Sequence, residues 1–389
     1  MLTKRINSLS TSLTIAISTL AGELKAQGKD VISFSAGEPD FGTPQVIKDE
    51  AIKAINEGFT RYTPVPGIPE LLQAVADKLK RDNDLDYKPS QIIASNGAKH
   101  SLFNIMQALI EEGDEVIIPS PYWVTYPELV TYSGGKSVII ETEDSDGFKI
   151  TPQKLQKAIT PKTKMLILTT PSNPTGALYS KSELEALGEV LKDTNITVVS
   201  DEMYEKLVYD GKFTAVASVS DDMFKRTITV NGLSKSVAMT GWRFGYLASP
   251  DDELIAAMKK LQSQSTSNIN SITQKAAIAG LDTRADADIE MMRKEFKKRR
   301  DLAVKLFNED EKLSVLSPDG AFYLFVNIKK VSNDSMQFCK DLLSEKGIAV
   351  VPGLGFGSEG YFRFSFATSE DNIKEGIKRI RDFCKTYNK

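Results

Sequence analysis

The chain has 389 residues, an apolar fraction of 41% and a formal net charge of −3. That length predicts two domains or one large α/β unit with additions, and the slight acidic excess gives nucleic acid no strong electrostatic footprint. The single histidine, His100, would have to carry any Ser-His-Asp triad or multi-histidine metal site alone, and the distant Cys339 and Cys384 make neither a disulfide framework nor a zinc spacing.

In chain order, Lys4 and Arg5 precede a short apolar stretch, Leu13 to Ile17, that Thr14 interrupts. This is neither a signal peptide nor a membrane span. With the two cysteines read as reduced thiols, it predicts a cytoplasmic protein with no membrane partner. Helical stretches follow at Pro69 to Arg81, Lys99 to Ile110 and Ser182 to Lys192. Short β-rich runs recur at Glu115 to Ile118, Ser137 to Ile140, Met165 to Thr169, Thr197 to Ser200, Thr227 to Val230 and Phe244 to Ala248. Strands alternating with helices predict an α/β fold with a mainly parallel sheet covered on both faces and a ligand at the carboxyl ends of its strands. From about Ala285 a charged helix, Met291 to Phe307, leads into hairpin-like strands and further helices. We read this as a smaller α+β domain, formed by residues 1–44 and 286–389, beside a large domain at 45–285. The basic run Lys294, Lys297, Lys298, Arg299 and Arg300 is interleaved with Glu290, Glu295 and Asp301, so it reads as the solvated face of a helix.

Chemistry-bearing residues cluster just after the strands. Lys235 sits among small and apolar residues with Arg243 eight positions on, a setting that depresses a lysine pKa as an imine-forming nucleophile requires. A lone lysine is otherwise a surface charge. Thr170-Pro-Ser-Asn173-Pro-Thr-Gly176 is a turn that fixes an Asn side chain at a strand end. Asp201 and Tyr204 end another strand. Gly97, Ala98 and Lys99 open a helix whose backbone N–H groups can reach a phosphate, or simply start a helix. Trp123 follows a strand and suits stacking on a flat ring, or fills a core. Gly37 lies in a tight turn that allows close backbone approach. Arg363 stands inside an apolar strand, where a guanidinium needs a carboxylate, from a ligand or from a structural ion pair. Gly353-Leu-Gly-Phe-Gly357 is glycine-rich but lacks the form of a dinucleotide fingerprint.

The segment Asn231-Gly-Leu-Ser-Lys235-Ser-Val-Ala-Met-Thr-Gly-Trp-Arg243-Phe-Gly245 resembles the lysine motif of class I aminotransferases, which use pyridoxal 5′-phosphate (PLP), with Phe244 an unusual filler. The other motifs appear in the family's order along almost the whole chain. The resemblance implies PLP-dependent transferase fold type I, a large domain plus a smaller one, and PLP as cofactor. It implies that Lys235 holds the cofactor and moves the Cα proton, that Asp201 keeps the pyridine nitrogen protonated, and that Asn173 and Tyr204 meet the phenolic oxygen. By the same resemblance Trp123 would stack on the ring, Gly97, Ala98, Lys99, Ser234 and Arg243 would surround the phosphate, and Arg363, with Asn173, Trp123 and Gly37, would take the substrate α-carboxylate. Arg61-Tyr62-Thr-Pro-Val-Pro-Gly67 resembles the loop whose tyrosine reaches the neighbouring subunit's phosphate, which implies a homodimer with Tyr62 shared.

Ser120-Pro-Tyr-Trp-Val-Thr-Tyr126 and Gly97-Ala-Lys99 are most similar to bacterial aspartate aminotransferases of the class Ib subgroup, in which Lys99 and Thr14 would bind the distal carboxylate. The implied partners are amino acids and 2-oxo acids, L-aspartate with 2-oxoglutarate first. Relatives that transaminate prephenate carry Lys-Pro-Ser-Ala-Thr where this chain has Ser10-Thr-Ser-Leu-Thr14, so the lysine is missing. The alternatives are an aromatic, alanine or prephenate aminotransferase or a Cα-lyase on the same fold, and a non-catalytic PLP-fold binding protein. A nicotinamide dehydrogenase lacks its early glycine fingerprint here. A yellow purified protein separates the PLP readings from the last.

Overall fold

The structure is a computed structural model that describes residues 2–10 and 13–387, without the side chains of residues 13–15. Thr14, expected at the substrate's distal end, thus has its side chain outside the described residues.

Twelve strands are found among the described residues: β1 (Ile32–Ser33), β2 (Ile92–Ser95), β3 (Glu115–Ser120), β4 (Lys136–Glu141), β5 (Thr163–Thr169), β6 (Thr197–Asp201), β7 (Thr227–Gly232), β8 (Gly245–Ala248), β9 (Tyr323–Asn327), β10 (Ile348–Ala349), β11 (Val351–Pro352) and β12 (Tyr361–Ser365). Seven of them form one sheet in the order β2-β8-β7-β6-β5-β3-β4. Neighbours from β4 to β7 run parallel, while β8 is antiparallel to both β7 and β2. The central runs are continuous in Val, Ile and Leu because both faces are covered by helices; β7 and β8 are buried at every position, whereas the edge strand β4 is half exposed. The order reverses between β5 and β3: the chain leaves β3 for the β4 edge and returns on the other side. That reversal opens a crevice at the carboxyl ends of the strands.

Local chemistry sets the covering helices. Ser180 and Glu183 form a reciprocal capping box at the start of Lys181–Leu191. Pro69 occupies the first turn of Pro69–Asn83, which Asp84 ends in the left-handed region at φ 58°. The first helix starts one residue before the expected Ser182 and ends one before the expected Lys192, and the second runs two residues past the expected Arg81, because capping groups rather than hydrophobic periodicity decide the ends.

A second layer is built by β11, β12 and β9, an antiparallel sheet, and by β1 paired in parallel with β10. The N-terminal strand thereby joins the C-terminal third of the chain. Phe34 stacks on Phe364 at 4.1 Å within a core that also holds Phe296, Phe307, Phe338 and Phe383. Emptying one such aromatic site costs ~3–5 kcal/mol. The helix Asp286–Asn308 corrects one expectation: Arg299 and Arg300 are 8% and 3% exposed. They point inward because each has carboxylate partners, Asp40 and Glu295 for Arg299 and Asp210 and Asp301 for Arg300. No helix among the described residues is long and apolar enough to cross a membrane.

Candidate active site

The crevice at the strand ends is a cleft of about 1190 Å³. Lys235 enters it from the turn after β7. Its Nζ donates to the Gly37 carbonyl at 2.5 Å. Burial pulls its pKa down to about 8, the charge of Glu38 opposes this, and Arg363 and Arg243 push further down. A lysine so placed is part free base near neutral pH.

Asp201 ends β6 and is 5% exposed. Its carboxylate accepts from the Tyr126 hydroxyl at 2.7 Å and from the Met203 amide at 3.3 Å. Burial raises its pKa, while those hydrogen bonds and the charge of Lys235 lower it. Among the described residues it has no ion-pair partner, so a cation in the cleft would complete it.

The sequence reading did not single out Tyr126. It lies one helical turn beyond Trp123 in the helix Thr125–Ser133, and the two rings meet edge-on at 5.4 Å. Its i+3 spacing from Trp123 was the available signal. Tyr323 on β9 was also missed; its hydroxyl shares a hydrogen bond of 3.0 Å with that of Tyr204.

Arg363, on β12, is 2% exposed. It donates to Asn173 Oδ1 at 3.0 Å and to the Ser35 carbonyl at 2.8 Å, and lies 4.3 Å from the centre of the Tyr323 ring. Its Nε has no partner, and no carboxylate pairs with it among the described residues. Burial lowers its pKa. A guanidinium held this way by neutral acceptors is preset for an incoming anion.

At the other end of the cleft, Arg243 adopts the left-handed region at φ 57° and donates to the carbonyls of Thr240 and Asn96 at 2.9 and 3.3 Å. It backs onto Gly97, the N-cap of the helix Ala98–Leu109, which has φ 79° and no side-chain cap. A Cβ on Gly97 would fall 2.5 Å from Arg243 Nη2, and one on Gly245 would strike the Ala98 backbone. These two glycines let a helix N-terminus and an arginine share one corner, with the buried Ser234 beside them. That combination suits a phosphate. Lys99 lies 4.9 Å over the Trp123 ring, its pKa lowered by desolvation and by Arg243.

The cleft therefore gathers Gly37, Ala98, Lys99, Trp123, Asn173, Asp201, Tyr204, Ser234, Lys235, Arg243 and Arg363 from the residues singled out in the sequence. Gly97 supports it from behind. Tyr62 does not reach it: its side chain is 91% exposed on the surface. Leu354 and Gly355 of the glycine-rich stretch line one edge.

The family model for aminotransferases of class I and II matches residues 29–380. An aspartate aminotransferase of Bacillus subtilis (strain 168) is 48% identical over 392 residues, covering 99% of this chain and 99% of its own. The crystal structure of an aspartate aminotransferase from Rhizobium meliloti superposes with a TM-score of 0.96 at 42% identity, covering 100% of both chains. An aspartate aminotransferase from Thermus thermophilus, solved with maleate, has a TM-score of 0.95 at 41% identity, covering 98% of this chain and 99% of its own. This chain belongs to the class I and II aminotransferases, and shares their fold.

Proposed function

We propose that the chain is an aspartate aminotransferase that moves the α-amino group of L-aspartate to 2-oxoglutarate with PLP as its cofactor. The observation that carries the amino-acid substrate is Arg363, a buried guanidinium with an unpaired Nε and no carboxylate partner among the described residues.

The donor set fits PLP. Arg243, Ser234 and the amides at the start of Ala98–Leu109 form a corner that would hold its phosphate, and Asp201 is a buried carboxylate with no ion-pair partner among the described residues, as a protonated ring nitrogen requires. The chemistry that PLP supplies when bound is an electron sink for the Cα carbanion and a carrier for the amino group. Asp201, held by Tyr126, keeps the ring nitrogen protonated. Asn173, Tyr204 and Trp123 line the same cleft and would hold the phenolic oxygen and the ring of PLP. Arg363 takes the α-carboxylate with help from Asn173, Trp123 and Gly37, which orients the Cα–H bond toward Lys235. The Lys235 amine, its pKa drawn down to about 8 by burial, would be the base that takes this proton and the acid that gives it back. Lys99 and Thr14 read the distal carboxylate, a role in keeping with the maleate in the Thermus thermophilus structure.

We further propose that 45–285 forms the large domain and 1–44 with 286–389 the small one, which is supported by the seven-stranded sheet falling wholly within the first and the two smaller sheets wholly within the second. A homodimer with Tyr62 reaching the neighbouring phosphate is supported by the exposure of that tyrosine and of Ile52 and Ile55, each 53% exposed on a nearby helix. The two buried, unpaired cysteines agree with a cytoplasmic protein. Against prephenate, the backbone of Ser10 at the cleft donates to Glu128 at 2.8 Å, where a lysine would bring a cation.

Single amino acids mixed with the PLP-loaded protein test the reading. Aspartate and glutamate are expected to change the visible absorption rapidly, phenylalanine and alanine slowly. A dominant response to phenylalanine or alanine overturns the substrate and leaves the family in place.

A further inference from the structure

Away from the cleft, the turn that follows β6 is held by the helix Pro69–Asn83. Asp201 and Tyr204 face the cleft, whereas Glu202 and Glu205 face the interior and are 0% and 9% exposed. Glu205 forms a buried ion pair with Lys78 and accepts from Asn83 Nδ2 at 2.6 Å; Lys78 also donates to Asn83 Oδ1 at 2.7 Å. Lys78 and Asn83 belong to the helix Pro69–Asn83 and are 5% and 4% exposed. Glu202 accepts from Ser200 Oγ at 2.8 Å and from the Val216 amide at 3.0 Å. Within the turn, the Glu205 amide bonds the Glu202 carbonyl at 3.1 Å and the Leu207 amide the Tyr204 carbonyl at 2.8 Å.

The cavity beside this cluster holds only about 10 Å³, room for at most one water, so the cluster is no ligand site. A buried ion pair also does little for net stability against apolar residues of the same size. What it does supply is direction: a charge pair holds Glu205 at one place on one helix, and the turn is too short to let Tyr204 and Asp201 move independently of it. We propose that Lys78, acting with Asn83 through Glu205, is a positioning residue for the reaction, fixing the turn that aims Asp201 and Tyr204 into the cleft. This rests on the PLP reading above.

The test compares wild type with K78M/N83L/E205M, which removes the whole polar set without stranding a charge, and with E205D, which keeps the pair but draws the turn back by one methylene. The readouts are the thermal midpoint, retention of PLP on dilution, and the pH at which the visible band of bound PLP changes. The expected result is a midpoint close to wild type, PLP retention about tenfold weaker and a displaced band pH, in the triple variant and in E205D. Unchanged PLP retention and band pH in a folded triple variant overturn the inference. Should the triple variant not fold, wild-type behaviour of E205D overturns it. Wild-type protein that takes up no PLP overturns the cofactor reading and this inference together, whereas normal loading of wild type and variants alike overturns the inference alone.

Discussion

The Tyr126 hydroxyl donates to Asp201 Oδ2 at 2.7 Å, joining residues 75 positions apart at the base of the cleft. It also lies 2.7 Å from Thr169 Oγ1, so the phenol is held on both sides while it serves the carboxylate. Burial alone raises the pKa of Asp201, and this donor is the largest influence opposing it.

Tyr126→Phe removes that donor and leaves the ring in place. The Asp201 carboxylate loses stabilisation of its charged form, so its pKa rises further. A hydrogen bond to a charged group contributes about 1.5–3 kcal/mol, so PLP dissociation should quicken at least tenfold. Release of PLP on dilution, followed by absorbance, measures it; unchanged release would show that the ring nitrogen does not depend on this carboxylate.

Lys235 titrates around 8 in the folded chain, against the ordinary lysine value of 10.5. In protein freed of PLP, its acylation by an amine-directed reagent should rise as pH passes about 8, well below the ordinary lysine value of 10.5. Peptide mass mapping across a pH series separates the two. Lys235→Ala should abolish turnover, and retained turnover would remove Lys235 from the proton-transfer role.

Arg363→Lys keeps a positive charge but loses the planar fork that can grip a carboxylate at two points. Truncating one partner of a buried charge pair costs about 2–5 kcal/mol, so KM for aspartate should rise roughly 100-fold or more. PLP retention should be unaffected, because the corner proposed for the phosphate lies with Arg243, Ser234 and the helix start. Loss of PLP without a change in KM would reverse the two arginines' assignments.

Glu202 is fully buried, and burial, reinforced by the charge of Glu205, pushes its carboxyl up to about 8. The native chain thus binds this proton more tightly than the unfolded chain, whose carboxyl keeps its ordinary value of 4.5. The stability it contributes is full below that value and is lost as pH rises through about 8. Glu202→Gln removes the titration while its amide oxygen still accepts from Ser200 and Val216. Thermal midpoints should fall for wild type between pH 5 and 9, and fall less for the variant, which should be the more stable by about 1–3 kcal/mol at the alkaline end. Parallel curves would show that Glu202 does not titrate in that range.

The alternation of strand and helix was legible from the residues alone, because Val- and Ile-rich runs such as Val116 to Ile118 and capped helices such as Lys181–Leu191 carry their signals within a few positions. The strand-end residues Lys235, Asn173 and Asp201 were legible too, since each stands in a compact motif beside its own strand. The pairing of β1 with β10 and the meeting of Arg363 with Ser35, 328 residues apart, were decided only by the tertiary structure. So were the Tyr126–Asp201 hydrogen bond and the burial of Arg299, Arg300, Glu202 and Glu205. The physical reason is the same in each case. A charge or hydroxyl shows in sequence what it can bond, but its burial depends on a partner that only chain folding brings within reach, and without that partner the same residue belongs in water.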